Sequence, residues 1–280
     1  MELNQNAKVF FFGKAAEDIS ATTVLSISAH QDDIEMMSFS GIAECYGRKD
    51  KWFTGVVVTD GAGSRRGGLY ADYTNEEMTA AREAEQNAAA VLGGYLAQFQ
   101  LKYTSSAVKD PADLRAVDDL AEIILAAKPE VIMTHNPADR HDTHAAVALC
   151  VIAALRRLRG QYRPQKFYGM EVWGSLDWCG DKLLFDTSPH PNLAAACLGV
   201  YDSQICGGKR YDLASLGRRI ANAVFHESRS EDDPDSGSFG IDMTCLIGGG
   251  DVREFICGKI DDFKNNVDEK LARLEGAARE

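Results

Sequence analysis

The sequence lacks a long apolar run, a surplus of basic residues and closely spaced pairs of cysteines. No segment approaches the roughly 20 apolar residues that cross a membrane, so we expect no membrane span. The 42 acidic residues against 30 basic ones give a formal net charge of −12. That balance argues against a general nucleic-acid or anionic-membrane binder, but it is compatible with a small substrate held in a pocket.

The seven cysteines are scattered, odd in number and without a Cys-x-x-Cys pair. They are typical of reduced residues in a cytoplasmic protein, and they argue against a cysteine-based zinc site. The first residues, Met1–Asn6, contain no basic stretch, so we expect no signal peptide. A cytoplasmic protein is therefore predicted.

What the sequence has is a regular alternation of short apolar runs and helical patterns between residues 22 and 175. Such alternation predicts a three-layer, Rossmann-like α/β fold, with a mostly parallel sheet and helices on both faces. The predicted strands are Val24–Ser28, Trp52–Thr59, Ala97–Leu101, Glu130–Thr134 and Lys166–Trp173. The predicted helices are Ile34–Arg48, Asn75–Leu92, Pro111–Ala127 and Thr143–Arg159.

The flanking segments are less regular. Val9–Phe12 fits an edge strand or a packing arm, and residues 228–238 form a polar, turn-rich loop. The later patterns predict one strand and three helices, namely Leu183–Asp186, Pro191–Val200, Arg210–His226 and Phe263–Ala278. Without a repeat or a linker, we predict a single domain over residues 1–280. Its core is about 22–175, and 176–280 is an extension that shapes the substrate site.

Ionisable residues gather where two of the predicted strands end. His30, Asp32 and Asp33 follow the first strand, and His141 and His144 follow the fourth. In the doubly wound order 3-2-1-4-5 these strands are neighbours at the point where the order reverses, which is where ligands bind. Two imidazoles, one carboxylate and a position for water form a common catalytic zinc site, and a further carboxylate beside it can accept a proton.

Plainer explanations exist for the same residues. Asp32 followed by Glu35 before an apolar run is also the pattern of a helix-capping box. Asp142 or Thr143 could cap the next helix, and the histidines could be exposed loop residues. Four of the six histidines nevertheless follow just these two strands, which favours a site.

Two motifs resemble those of a known family. Residues 29–35, Ala-His-Gln-Asp-Asp-Ile-Glu, are similar to the Ala-His-Pro-Asp-Asp-x-Glu motif of the LmbE-like (PIG-L) de-N-acetylases. His141-Asp142-Thr143-His144 resembles that family's second motif, His-Pro-Asp-His, and the helix segment Ala81–Glu85 is also similar. The resemblance covers about residues 22–175 and implies the LmbE-like form of the fold.

The resemblance implies a zinc-dependent amidohydrolase that removes acyl groups, usually acetyl, from amino sugars such as N-acetylglucosamine derivatives. It implies that His30, Asp33 and His144 bind zinc or another divalent metal. Asp32 would be the general base, and His141 would stabilise the oxyanion or help the amine to leave. A homo-oligomer is left open, since trimers and hexamers occur in that family.

The second motif departs from the family pattern, because Thr143 stands where the family has an aspartate that would orient the catalytic imidazole. We hypothesise that Asp139 or Asp142 takes over this role for His141. In the first motif, Gln31 replaces proline, which either alters only the stiffness of the loop or adds a hydrogen-bonding group.

Three arginines are further candidates for supporting or substrate-binding roles. Arg65 and Arg66 lie in the glycine-rich loop 60–68, where they could meet an anionic group or simply belong to a solvated turn. The loop lacks Gly-x-Gly-x-x-Gly, which disfavours a dinucleotide site. Arg82 lies in the family-like helix, with no catalytic role assigned.

The sequence therefore predicts a cytoplasmic, zinc-dependent de-N-acylase that acts on a small, N-acylated, amino-sugar-type substrate. The alternative is a non-catalytic protein that binds a metal or a ligand on the same fold. A nucleotide-binding enzyme of similar topology is a weaker third hypothesis.

Overall fold

A central sheet organises the computed structural model, which describes residues 1–12, 18–226 and 234–275. Within these residues the sheet has eight strands, in the order β1-β4-β3-β2-β5-β6-β8-β7. In chain order they are Lys8–Phe11 (β1), Val24–Ser28 (β2), Phe53–Thr59 (β3), Ala97–Tyr103 (β4), Val131–His135 (β5), Lys166–Met170 (β6), Leu183–Asp186 (β7) and Gly237–Asp242 (β8). Strands β2 to β6 run parallel, while β1 and β8 join the sheet antiparallel to their neighbours.

The helices cover both faces of the sheet. In chain order they are Asp33–Met37 (α1), Phe39–Cys45 (α2), Asn75–Gly93 (α3), Ser105–Lys109 (α4), Arg115–Ala127 (α5), Asp142–Arg157 (α6), Pro191–Gly199 (α7), Asp202–Ile205 (α8), Tyr211–His226 (α9) and Val252–Glu275 (α10). Short 3₁₀ turns lie at Gly68–Tyr70 and Thr244–Gly248. None of the described helices combines the length and the apolarity that crossing a bilayer requires.

Strand β2 shows why the sheet is covered on both sides, since all five of its residues are buried. Leu25 and Ile27 point to a core shared with α5 and α6, while Val24 points to a core shared with α1, α2 and α7. Alternate side chains of a strand project to opposite faces, so an apolar residue on each face needs a layer of helices on each. The predicted fold class and the core strand order 3-2-1-4-5 are both confirmed.

Several element boundaries differ from the prediction. The helix predicted over Ile34–Arg48 is broken into α1 and α2 at Ser38, whose buried hydroxyl bonds with that of Ser26 at 2.8 Å. The helix predicted from Pro111 begins at Arg115. Helix α10 begins at Val252, before the predicted Phe263, and the predicted end at Ala278 lies outside the described residues.

Strand β8 was not predicted. Its first two residues fall in the predicted loop 228–238, of which 228–233 lie outside the described residues. It is rich in glycine and serine, so its sequence carries no strand signal. The reason for one glycine is visible in the packing. A Cβ at Gly240 would lie 2.7 Å from Met170 Sδ and 2.8 Å from the ring of Phe185. Close packing against neighbouring strands, rather than propensity, therefore determines this strand.

A buried polar cluster joins the extension to the core. Glu35 is fully buried and accepts hydrogen bonds from the hydroxyls of Tyr95 and Tyr201, each at 2.6 Å, and from Gln86 Nε2 at 3.0 Å. Burial raises the pKa of Glu35 to about 7, although these hydrogen bonds oppose the rise. Arg219 of α9 donates to the backbone carbonyl of Glu35. Tyr201 and Arg219 thus attach the extension directly to α1.

Replacing Tyr201 by phenylalanine should lower the free energy of unfolding by about 1–3 kcal/mol, because Glu35 stays buried with one donor fewer. Urea denaturation followed by circular dichroism measures the change. Tyr70→Phe is the matched control, since the Tyr70 hydroxyl donates to Asp202 at 2.7 Å in a much less buried position. Equal losses in the two variants would contradict the importance of the Glu35 cluster.

Candidate metal and catalytic site

The candidate site lies at the carboxyl ends of β2 and β5, which are adjacent and parallel. The loop after β2 and the first turn of α1 supply His30, Asp32 and Asp33. The loop after β5 and the first turn of α6 supply His141 and His144. The strand order reverses between β2 and β5, and this brings together residues more than a hundred positions apart in the sequence, as the predicted strand order implied.

Three side-chain atoms form a compact set of donors. His30 Nδ1 lies 3.1 Å from Asp33 Oδ2 and 3.2 Å from His144 Nε2, and His144 Nε2 lies 3.3 Å from Asp33 Oδ2. Donors of a tetrahedral zinc ion with bonds of about 2.0–2.1 Å are separated by about 3.3 Å. Both the distances and the two-nitrogen, one-oxygen chemistry of this set fit a divalent metal such as zinc.

Two other histidines lie within reach of the same donors. The groups His30, His141, His144 and Asp33, His135, His144 each place one donor atom per residue within 4.8 Å of one another. His135 Nε2, however, accepts the backbone N–H of Ala29 at 2.8 Å, which uses its lone pair. Burial lowers the pKa of His135 to about 4, so the ring is neutral. Its 3.4 Å approach to Asp33 is therefore not an ion pair, and His135 is a poor ligand.

Asp139 supports the centre from the side of α6. Its Oδ1 accepts the backbone N–H of His141 at 2.9 Å and lies 3.4 Å from His144 Nδ1, while its Oδ2 accepts the backbone N–H groups of Trp173 and Gly174. Burial would raise the pKa of Asp139, but His144 and these contacts hold it at about 2. His144 Nδ1 has no hydrogen-bond partner among the described residues, and the ionised Asp139 carboxylate that faces it favours a proton on Nδ1, which leaves Nε2 facing the other donors.

The positions of Asp139 and Asp142 bear on the hypothesis that one of these carboxylates orients the His141 ring. Asp142 is exposed at the start of α6, and the Asp139 carboxylate faces the ring of His144 rather than that of His141. Among the described residues, His141 Nδ1 is buried without a hydrogen-bond partner. The ring instead stacks on His144, with centroids 4.5 Å apart. Burial lowers the pKa of His141, and its neighbours His144 and His30 lower it further.

Asp32 lies beside the donor set but outside it. Its backbone has a left-handed φ of 87°, and its N–H donates to Gln86 Oε1 at 3.2 Å. The guanidinium of Arg82 lies 3.4 Å and 3.5 Å from the two carboxylate oxygens and also donates to the carbonyl of Gln31. Burial raises the pKa of Asp32 to about 6, and Arg82 limits the rise. Asp32 makes no side-chain cap and Glu35 is bound elsewhere, so the capping-box explanation is wrong.

Gln31 fills the position where the family motif has proline. Its side-chain amide donates to the carbonyl of Thr59 at 3.2 Å and to Gln100 Oε1 at 3.3 Å. A Cβ at Gly61, whose φ is 71°, would lie 2.4 Å from Gln31 Oε1. The glutamine thus ties the loop that carries His30 to β3 and β4, which is the hydrogen-bonding alternative of the two predicted for it.

The donor set opens into a cavity of about 590 Å³, and the candidates Arg65 and Arg82 are among the residues that line it. Arg66 does not line it, because its guanidinium braces the loop by donating to the carbonyls of Tyr73 and Ala62 and to Asn75 Oδ1. Other lining residues were absent from the predicted site. Among them are Lys109 from α4 and Gln204, Tyr211 and Arg218 from the extension.

The fold and the site define an α/β protein with a cluster of three donors that could hold a metal ion at the carboxyl edge of a mostly parallel sheet. Residues 25–155, a little under half of the chain, match the family model described as PIG-L: GlcNAc-PI de-N-acetylase. Over these residues the chain is similar to the PIG-L, or LmbE-like, family. No curated protein matches the chain.

Several solved structures share the fold. The N,N'-diacetylchitobiose deacetylase from Pyrococcus horikoshii has a TM-score of 0.63 and 16% identity, covering 81% of this chain and 85% of its own. A conserved protein from Thermus thermophilus has a TM-score of 0.61 and 18% identity, covering 79% and 94%. GalB, the 4-carboxy-2-hydroxymuconate hydratase from Pseudomonas putida, has a TM-score of 0.60 and 16% identity, covering 79% and 96%. At such identities the likeness establishes the fold alone.

Replacing His144 by alanine should abolish stoichiometric zinc binding, and His30→Ala should weaken it strongly, because each removes one of three donors. His135→Gln should keep one zinc per chain, since His135 Nε2 already accepts the Ala29 N–H. Metal analysis of the purified variants after dialysis against zinc measures the content. Loss of zinc from His135→Gln with retention in His144→Ala would reverse the assignment.

Asp139→Asn should weaken metal affinity about 10–100-fold, the range typical of carboxylates behind a ligand histidine. The reason is that an amide cannot hold the proton on His144 Nδ1 as an ionised carboxylate does. Competition with a chromogenic chelator measures the affinity. Asp142→Asn, three positions along and exposed, is the control and should leave it unchanged. Equal effects would remove the special role of Asp139.

Proposed function

We propose that the protein is a zinc-dependent hydrolase that removes an acyl group, in the first place acetyl, from the amide nitrogen of a small amino-sugar-type substrate. The observation that carries this proposal is the donor triangle of His30, Asp33 and His144, with Asp32 beside it and outside it at the base of a cavity. The family description and the deacetylase from Pyrococcus horikoshii support the same reaction class.

His30, Asp33 and His144 would hold the metal. A zinc ion bound there would lower the pKa of a coordinated water to about 7 and polarise a carbonyl oxygen. Asp139 keeps His144 in the tautomer whose Nε2 can bind, and the Thr59 and Gln100 contacts of Gln31 fix the loop that carries His30. These supports keep the donors in place before a metal arrives, so little reorganisation is needed.

Asp32 would accept a proton from the attacking water and return it to the leaving amine. Arg82 and Gln86 hold Asp32 from the protein side, and its carboxylate lines the cavity. A base with a pKa near neutrality can both take and release a proton during one turnover. Burial places Asp32 close to that range.

His141 would donate a hydrogen bond to the oxyanion that develops on the substrate carbonyl, or to the departing nitrogen. The His141 ring lines the cavity, and its Nδ1 is buried without a hydrogen-bond partner among the described residues. The lowered pKa of His141 keeps the ring neutral at pH 7. A neutral imidazole stabilises developing charge as a donor rather than as a cation.

The proposal also includes the domain organisation and the location of the protein. We propose one functional unit over residues 1–280, because Gln204, Tyr211 and Arg218 of the extension line the cavity. A cytoplasmic location is supported by seven cysteines that are all free, four of them buried. A homo-oligomer stays a prediction.

Asp32→Asn should lower the rate of amine release about 10²–10⁴-fold while zinc stays bound, because it removes the proton acceptor but no metal donor. Amine formation from N-acetylglucosamine and N,N'-diacetylchitobiose, together with metal analysis, measures both quantities. Asp142→Asn is the control and should keep full activity.

Full activity of Asp32→Asn would show that the assigned base is wrong. A zinc-loaded wild-type protein that binds N-acetyl sugars without releasing amine would favour the non-catalytic alternative instead.

A further inference from the structure

The walls of the cavity carry charge of one sign. Besides Arg82, three basic side chains line it, namely Arg65, Lys109 and Arg218. Among the described residues, the carboxylates that line it are Asp32 and Asp33, both at its base. The whole chain has 42 acidic and 30 basic residues, so an all-basic wall runs against its composition. A local excess of this kind attracts anions.

The basic residues differ in how far their donor groups are already engaged. Arg82 is paired with Asp32, and Arg218 donates to the backbone carbonyls of Val172 and Trp173. Arg65 and Lys109 are exposed at the rim, and neither takes part in an ion pair within the described part of the chain. By contrast, Lys8 and Lys102 both pair with Glu83. Arg65 and Lys109 are therefore the two lining cations whose charged groups have neither an ion pair nor a side-chain hydrogen bond within the described residues, so both are available to a ligand.

Arg65 and Lys109 also share one side of the cavity. Arg65 lies in the loop after β3, and Lys109 ends α4, the helix that follows β4. Strands β3 and β4 are adjacent and parallel, so both loops emerge at the same edge of the sheet. That edge is the one that also carries His30 and Asp33, on the neighbouring strand β2.

We propose that the substrate carries an anionic group, a carboxylate or a phosphate, apart from its acyl amide, and that Arg65 and Lys109 bind this group. The proposal rests on the proposed function, because it assumes that the amide lies at the metal centre. Two unpaired cations on one wall of a cleft raise the local concentration of an anionic substrate and orient it, so the effect falls mainly on KM and weakens with salt.

The test compares the zinc-loaded full chain on four probes: N-acetylglucosamine, its 1-phosphate, its 6-phosphate and N-acetylmuramic acid, which carries a carboxylate. At low ionic strength at least one anionic probe should exceed the neutral sugar about tenfold or more in kcat/KM. The phosphate and carboxylate arms identify the anion. The advantage should shrink as sodium chloride is raised to about 0.5 M.

The double variant R65Q/K109Q should reduce the ratio of anionic to neutral kcat/KM by about tenfold. The control K49Q/R163Q removes the same net charge from exposed residues outside the cavity and should keep the wild-type ratio. Equal cleavage of neutral and anionic probes by the wild type would overturn the proposal and leave the proposed hydrolase standing. An anion preference that survives in R65Q/K109Q would overturn it as well.

Calorimetric binding of the same four sugars tests the anion site separately from the proposed hydrolase activity. If no probe releases amine, the proposed hydrolase fails for these sugars. In that case an anion preference in binding that R65Q/K109Q removes still supports the anion site, and binding without such a preference overturns it.

Discussion

The buried carboxylate of Asp33 is the constraint on which the rest of the site depends. Its Oδ2 lies within 3.4 Å of ring nitrogens of His30, His135 and His144. Burial favours the neutral carboxyl, yet His144 and the other rings lower the pKa of Asp33 well below its usual range, so it stays charged. A buried charge among nitrogen lone pairs is unfavourable unless a proton or a cation lies between them. Burial opposes the protonated form of His144, but Asp33 and Asp139 raise the pKa of His144 to about 10, so a proton on His144 balances the charge of Asp33 when no metal is bound. A divalent metal held by the same donors would take the place of that proton.

The side chains that hold the site come from two parts of the fold. They give Asp32 and Asp33, the two carboxylates of the first motif, different surroundings. Asp139 acts on His144 from the turn between β5 and α6, whereas Arg82 and Gln86 act from α3 on Asp32. Gln86 also reaches Glu35 and Tyr201, so the backbone of Asp32 is coupled through one side chain to the extension. Adjacent carboxylates therefore have different environments: Asp33 is surrounded by imidazoles, and Asp32 is paired with a guanidinium.

The strands and the residues of the site could be predicted from the sequence because β2 and β5 are apolar runs that end in clustered ionisable groups. The features that could not be predicted depend on contacts between residues that are distant in the sequence. The support from Arg82 and Gln86 was visible only as polar residues four apart in an alanine-rich helix. Whether Asp139 or Asp142 faces a ring depends on the turn between β5 and α6, which no pattern specifies. Strand β8 exists because β6 and β7 pair with it. Lys109 was missed along with α4, although Thr104 caps that helix by accepting the Ala107 N–H.

The departure at Thr143 gains a physical meaning from this arrangement. An aspartate there would stabilise the protonated form of His141 and raise its pKa, whereas Thr143 is buried and uncharged. Without such a carboxylate, burial and the neighbouring imidazoles keep the His141 ring neutral. In the proposed mechanism, proton transfer at both stages then rests on Asp32, and His141 contributes a hydrogen bond and the stacked surface it forms with His144. Thr143 in place of aspartate therefore leaves Asp32 as the group that accepts and returns the proton. The ion pair with the Arg82 guanidinium allows the Asp32 carboxylate to be ionised when the reaction begins.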